Sequence, residues 1–240
     1  MAYFVYLQNS TYCDNKPVMF LDSDGTLPLK WYHWLAIGVG AALVLTGVGV
    51  LVASAVGELS TATLVGSVAI GAAKGALIGS AIGTGVGAIG GGIYSGVTGA
   101  DFWTSVGQGA ALGFGIGAVI GAVAGGFAGA NGFYNRIALE FTNNPLSNEV
   151  VLGRSGVYES VAQSRNATYF HTSNARWTQV SNMRGVGSKG MFKINKAFLK
   201  HQIAAGKTFL MASNPTTAGG FYFMKEVAYL SGKDKAYIIL

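Results

Sequence analysis

The sequence of 240 residues contains almost no cysteine and has little charge through its middle third. Its single cysteine, Cys13, excludes an internal disulfide and any zinc or iron–sulfur site built from several cysteines. Only 11% of the residues are charged, which is low for a soluble globular protein. Between Trp34 and Phe133 the only charged residues are Glu58, Lys74 and Asp101. This middle stretch therefore suits lipid or an unusually dry helix bundle.

The C-terminal region lacks the residues of several common catalytic sites. From Val150 to Leu240 there are 12 Lys or Arg residues and only three acids. Three acids do not readily build a two-metal site, and no His-x-Glu with Cys-x-x-Cys pair exists for a zinc deaminase. No Walker loop or Gly-x-Gly-x-x-Gly motif occurs in this region. We expect no metal and no required cofactor, and the positive charge suits phosphates, a polyanion or an acidic protein partner.

Glycine is abundant and regularly placed. Two ladders at a strict spacing of four run through the middle third, one of Gly71, Gly75, Gly79, Gly83, Gly87 and Gly91, the other of Gly109, Gly113, Gly117, Gly121, Gly125 and Gly129. A spacing of four puts each ladder on one stripe of an α-helix, where a neighbouring backbone can approach closely. Glycine costs about 1 kcal/mol in a helix interior, so twelve of them call for close packing in return. We predict a hairpin with the ladders facing each other; a flexible linker is the alternative.

The apolar segments are long enough to cross a membrane. Residues 34–56 form an apolar run with Trp31, Tyr32 and Trp34 at its start, as at a membrane interface. Two further runs cover 62–93 and 106–130. The sequence therefore predicts two or three helices and a membrane contact through residues 34–130.

The head of the chain carries a specific motif. Tyr12-Cys13-Asp14-Asn15-Lys16-Pro17-Val18, followed by Asp22-Ser23-Asp24-Gly25, resembles the end of the Rhs (YD-repeat) core. Lys16 stands where that family has Asn, and Ser23 stands where it has Pro. These two differences weaken the assignment of the family's self-cleavage role to Asp22 or Asp24. The resemblance implies a polymorphic toxin cut from a longer chain, with its toxic domain at the C-terminal end.

The tail alternates between strands and helices. The pattern predicts a fold of class α/β, in which the hydrophobic glycine-zipper helical hairpin is followed by a small Rossmann-like βαβαβαβ domain with a mainly parallel sheet. We expect strands at 150–152, 168–170, 208–212 and 236–240, helices at 156–165, 191–205 and 221–230, and a loop or weak helix at 177–189. The predicted domains are 1–30, 31–133, a linker at 134–149, and a toxin domain at 150–240.

Glu226 is the acid best placed for chemistry. It follows a loop, 213–220, that leaves the carboxyl end of a predicted strand, where ligands bind in open α/β sheets. A carboxylate there can stabilise an oxocarbenium-like ribosyl centre. The alternative is a solvated glutamate paired with Lys225 or Lys233.

A second resemblance lies around this glutamate. Phe209-Leu210-Met211-Ala212-Ser213-Asn214 and Glu226-Val227-Ala228-Tyr229-Leu230 are similar to the C-terminal half of ADP-ribosyl cyclases. The resemblance implies NAD(P)+ glycohydrolysis with Glu226 as the catalytic carboxylate and NAD(P)+ as the substrate. It places Ser213 and Asn214 near the ribose or phosphate and Trp177 against nicotinamide. Arg154 is a further candidate for binding the substrate.

A metal-independent ribonuclease is the competing hypothesis. His171 and His201 are candidate acid/base groups, although His201 lies on a helix with Lys200 and Gln202, which favours a solvated side chain. Cations that would stabilise phosphorane charge are Arg154, Arg176, Lys196, Lys200 and Lys207. A third alternative is a glycine hairpin that permeabilises membranes by itself. As an Rhs-type effector, the chain is expected to be secreted or delivered from a cell surface. Its toxin domain would act in the target-cell cytoplasm and meet an acidic immunity protein.

Overall fold

The computed structural model describes residues 29–55 and 60–240, so the Rhs-like motif of the head lies outside the described residues. The chain divides into two compact units. The glycine-zipper unit comprises Val68–Gly129 and the described residues before Thr61. The C-terminal unit comprises Thr61–Ser67 and Ala130–Leu240.

Three long apolar helices dominate the first part of the chain, which confirms the prediction of long apolar helices. They are α1 (Trp31–Ala55), α2 (Leu64–Thr98) and α3 (Phe102–Glu140). Each is long and apolar enough to cross a membrane. The turn between α2 and α3 has local capping. Gly99 has a φ of +72°, and its N–H donates to the Ser95 carbonyl at 2.8 Å. The Asp101 carboxylate accepts from the Thr104 N–H at 2.7 Å and caps α3.

The two glycine ladders face each other in antiparallel order. A Cβ on Gly75 would overlap the carbonyl of Gly121, and one on Gly83 would overlap that of Gly113. The same holds in the other direction, from α3 onto α2. Both backbones therefore approach as only glycine allows, which is the close packing that the ladder spacing predicts.

In the C-terminal unit, α3 is followed by short strands and helices. They are β1 (Thr142–Asn143), β2 (Glu149–Leu152), α4 (Tyr158–Ser164), β3 (Tyr169–Phe170), α5 (Asn174–Ser181), α6 (Gly187–Ala204), β4 (Thr208–Met211), α7 (Phe221–Ser231) and β5 (Tyr237–Ile239). The predicted elements are present with small shifts at their ends. The region 177–189, expected to be loop or weak helix, contains the end of α5, a short loop and the first residues of α6.

The sheet is smaller than the βαβαβαβ order predicts. Strands β2, β4 and β5 pair in parallel in that order, with Leu152 opposite Met211. Strand β3 pairs antiparallel with β1, and a single parallel bridge between Val150 and Thr168 joins its start to β2. The mainly parallel character is therefore present over three strands, and the expected fourth strand is attached by one bridge only.

Both faces of the sheet are covered. Val150, Val151 and Leu152 are each at most 2% exposed, as in a parallel strand buried on both sides. On one face Val151 and Leu210 pack with Ala162 of α4 and with Tyr169. The segment expected to be a linker, 134–149, differs from that expectation: it continues α3 to Glu140 and then forms β1. Its Ile137 and Phe141 are fully buried.

Candidate functional site

A cavity of about 760 Å³ lies in the C-terminal unit beside the loops that leave β2 and β4. Because β2 and β4 are parallel neighbours in register, the loops after Leu152 and Met211 begin side by side. The Ser213 hydroxyl joins them by accepting a hydrogen bond from the Arg154 N–H at 3.1 Å. Beyond the second loop, Gly220 adopts a φ of +140° and starts α7. The cavity therefore sits at the edge where open α/β sheets bind ligands.

Glu226 is the buried acid of this cavity. It lies on α7, is 7% exposed, and accepts a hydrogen bond of 2.5 Å from the Asn195 Nδ2 atom on α6. Burial raises the pKa of Glu226 to about 7, and the Asn195 hydrogen bond opposes that rise. The alternative of a solvated glutamate paired with Lys225 or Lys233 therefore does not hold in this structure. Lys225 instead lies over the Phe221 ring, 3.9 Å from its centroid.

Asn195 has an unused acceptor beside Glu226. The residue lines the cavity and is 3% exposed, and its Oδ1 atom is buried without a hydrogen-bond partner among the described residues. A buried, unpaired amide oxygen costs free energy unless a ligand or water donates to it. Glu226 and Asn195 together thus present one carboxylate and one amide oxygen to a ligand in the cavity.

Tyr158 supports the cavity from the first turn of α4. Its hydroxyl donates to the Phe170 carbonyl at 2.5 Å. Burial raises the pKa of Tyr158 well above its usual value, and the charges of Glu159 and Glu226 add to the rise. Tyr158 is therefore a neutral hydrogen-bond donor whose hydroxyl is held by the Phe170 carbonyl.

A histidine–carboxylate pair stands on the cavity wall. The His171 Nδ1 atom lies 3.2 Å from the Glu159 Oε1 atom, and both residues line the cavity. Their side chains are 43% and 26% exposed, so the pair is accessible to water. A carboxylate on one imidazole nitrogen orients the ring and leaves the other nitrogen for a proton transfer.

Aromatic rings form another part of the wall. Trp177 on α5 and Tyr222 on α7 meet edge to face, with ring centroids 5.6 Å apart. Phe221 meets Tyr222 in the same way at 5.2 Å. Partly exposed rings of this kind offer a stacking surface for a planar heterocycle.

The structure brings together four of the six predicted site residues. Glu226, His171, Trp177 and Arg154 all line the cavity. Ser213 touches its rim through Arg154, as described above. Asn214 is not a lining residue: its side-chain oxygen accepts from the N–H and hydroxyl of Thr216 and so stabilises its own loop.

Most of the cationic side chains proposed for a ribonuclease do not line the cavity, and several of them contact other groups. Arg176 pairs with Glu140 at 2.6 Å, and Lys207 donates to the Pro145 carbonyl at 2.6 Å. Lys196 lies over the Tyr229 ring. His201 is not a lining residue, and its Nε2 atom is buried without a partner among the described residues, in contrast to the solvated side chain expected. Of the five cations, Arg154 alone lines the cavity.

Sequence reasoning missed Asn195, Glu159 and Tyr158. Asn195 stands beside Ile194 on the apolar face of a predicted helix, and a polar residue on such a face marks a buried hydrogen bond or a site. Glu159 and Tyr158 follow the loop after β2, which also leaves the carboxyl end of a strand. Both patterns were present in the sequence.

No protein-family model, curated protein or solved structure matches this chain. Among the described residues, no group of three or more His, Cys, Asp or Glu side chains is placed to hold a metal ion.

Proposed function

We propose that the C-terminal unit is an NAD(P)+ glycohydrolase that cleaves the nicotinamide–ribose bond, with Glu226 as the catalytic carboxylate. The observation that carries the proposal is one carboxylate, Glu226, which is buried and has no cationic partner among the described residues, in a cavity of about 760 Å³. A negative charge in a poorly solvated site interacts strongly with a positive centre that develops beside it.

Cleavage of this bond requires few other functional groups from the protein. The bond between the ribosyl carbon and nicotinamide breaks, and its electron pair passes to the ring nitrogen, so the leaving group departs neutral and needs no acid. Water then adds to the ribosyl carbon and releases one proton. Glu226 stabilises the cationic ribosyl centre, and the wall formed by Trp177 and Tyr222 holds the planar base. Arg154, at the rim, is the cation for the phosphates.

The rest of the proposal concerns the whole chain. The parallel β2–β4–β5 sheet supports a small Rossmann-like toxin domain, and the Rhs-like motif of the head supports delivery as a secreted or surface-displayed effector. Three apolar helices of membrane-spanning length are compatible with a membrane-inserting segment. The target-cell cytoplasm would supply NAD(P)+. The +6 net charge favours an acidic immunity protein.

A ribonuclease is the second candidate, because the His171–Glu159 pair has the geometry of an oriented general base. Two features of the cavity weigh against it. Phosphoryl transfer needs charge stabilisation from several cations, and Arg154 is the one predicted cation at the cavity. His201 does not supply a second imidazole there.

One experiment separates the candidates. The full chain is expressed in bacteria from a tightly controlled promoter, and cellular NAD+, RNA integrity and membrane potential are measured together. The proposal predicts loss of NAD+ before RNA is degraded or the potential falls. Cleaved RNA with intact NAD+ would favour the ribonuclease, and early loss of potential alone would favour permeabilisation by the helices.

A further inference from the structure

A continuous apolar stripe is exposed along α2 in the glycine-zipper unit. The glycine ladder of α2 is occupied by α3, and the stripe lies away from it at spacings of three and four. Its side chains are 60–66% exposed, and they are Ile78, Ile82, Val86, Ile89 and Ile93. Exposure of an apolar stripe of this length to water is unfavourable, and such a surface marks a site of contact with protein or with a membrane.

The stripe ends sharply at a charge. Lys74 precedes Ile78 by one helical turn on the same side of α2, and it is exposed. One turn further back, Ile70 is 8% exposed. On this side of α2 the exposed apolar surface therefore begins immediately after Lys74, whereas Val65, 47% exposed, lies on another side of the helix.

Aromatic rings lie at the opposite end, beside Val97, which is 81% exposed and extends the stripe by one turn past Ile93. Tyr94, Phe102 and Trp103 are 60%, 50% and 72% exposed around the turn between α2 and α3. Lys30 and Tyr32, at the start of α1, border the same groove as Tyr94. Tyrosine and tryptophan concentrate at membrane–water interfaces, and lysine can extend its ammonium group toward water there.

The distance between these two ends matches a bilayer. Residues 74 and 94 are 20 helical steps of ~1.5 Å apart, or about 30 Å, which is the thickness of the hydrocarbon core. On α3, Gly125 faces the ladder at Gly71 and Gly75 and so lies level with Lys74. Trp103 and Gly125 are separated by 22 steps, or about 33 Å.

We propose that the α2–α3 hairpin crosses a lipid bilayer as a closed pair, with Lys74 at one interface and Tyr94 and Trp103 at the other. With α1 as a third crossing, Lys30 and Gly129 lie on opposite sides of the membrane. This deepens the membrane part of the proposed function and is independent of whether NAD(P)+ is cleaved.

Nitroxide labels test the register. In the full chain with Cys13→Ser, single cysteines replace Lys74, Ile82, Val86 and Tyr94, and each is labelled in vesicles of phosphatidylcholine with phosphatidylglycerol. We expect the ratio of oxygen to nickel-chelate accessibility to be highest at 82 and 86 and several-fold lower at 74 and 94. Equal ratios at all four positions, or nickel access at 82 as high as at 74, would overturn the proposal.

A charge placed in the stripe gives a second measurement. Ile82→Lys should lower the fraction of the full chain that floats with the same vesicles, because a lysine near the middle of a bilayer is costly. Thr178→Lys, at an exposed position of α5, adds the same charge and should leave flotation unchanged. Equal flotation of both variants would contradict a lipid-facing stripe, whatever the outcome of NAD+ assays.

Discussion

Asn195 and Glu226 are 31 residues apart in the chain and are joined in the core by a hydrogen bond of 2.5 Å from amide to carboxylate. Helices α6 and α7 pack side by side to bring them together. The bond partly offsets the cost of burying the carboxylate, and it holds the Glu226 Oε1 atom against Asn195. Asn195 is therefore a positioning residue for Glu226.

Asn195→Leu should shift the pH profile of NAD+ cleavage. Loss of the amide donor removes the one interaction that lowers the pKa of Glu226, so the carboxylate forms only at higher pH. We expect about a tenfold lower kcat/KM near pH 7, with recovery as the pH is raised. Gln202→Leu removes another buried amide of α6 and serves as the control. An unshifted profile in Asn195→Leu would mean that Asn195 has only a packing role.

The buried carboxyl also links stability to pH. The pKa of Glu226 is about 7 in the folded chain and lies near the ordinary glutamate value of 4.5 when the chain is unfolded. Between these values the folded state binds the extra proton, so stability is greatest at low pH and falls as the pH rises through about 7. The loss is up to ~3 kcal/mol. Thermal unfolding in detergent should show this slope in the wild type and a weaker slope in Glu226→Gln.

Trp177 should act on substrate binding. Removing a ring that stacks on a base costs about 1–3 kcal/mol. Trp177→Ala is therefore expected to raise the KM for NAD+ by tenfold or more while kcat changes less, and Trp177→Phe should restore much of the affinity. A fall in kcat with unchanged KM would place the nicotinamide away from this wall.

The glycine ladder offers a matched pair of substitutions. A Cβ at Gly83 would overlap the Gly113 carbonyl, whereas a Cβ at Gly85, one half-turn away, meets nothing within 4 Å. Gly83→Ala should force α2 and α3 apart and lower the melting temperature. Gly85→Ala should raise stability by up to ~1 kcal/mol through helix propensity. Thermal unfolding in detergent compares them, and equal behaviour would contradict the packing of the ladders.

Local pattern was sufficient for most elements of this fold. The spacing of the glycines predicted both helices and their contact, since a period of four defines a helix stripe directly. Strands 150–152 and 208–212 were found because short apolar runs sit between turn residues. The sequence pattern indicated less about which strands pair with each other. Strand β3 is two residues long, and its antiparallel pairing with β1 depends on where α3 ends.

The sequence predicted which residues would meet at the cavity where they lie on or just after loops that leave strands, and it missed those that depend on tertiary contact. Arg154 lies in the loop after β2 and Glu226 lies on α7 after the loop that leaves β4, so the topology brings both to one edge. Asn195 comes from the interior of α6, and no local rule says which glutamate it meets. Asn214 was assigned to the substrate, yet its side chain bonds Thr216 in its own loop, a turn role typical of asparagine.

Release of nicotinamide from NAD+ by the purified full chain measures whether Glu226 carries the cleavage. The wild type should release nicotinamide, and so should Asp234→Asn, which removes an acid outside the cavity. Glu226→Gln should reduce the rate by about a hundredfold to a thousandfold, because the developing ribosyl cation loses its stabilising charge. Nicotinamide release by Glu226→Gln at the wild-type rate would contradict the account.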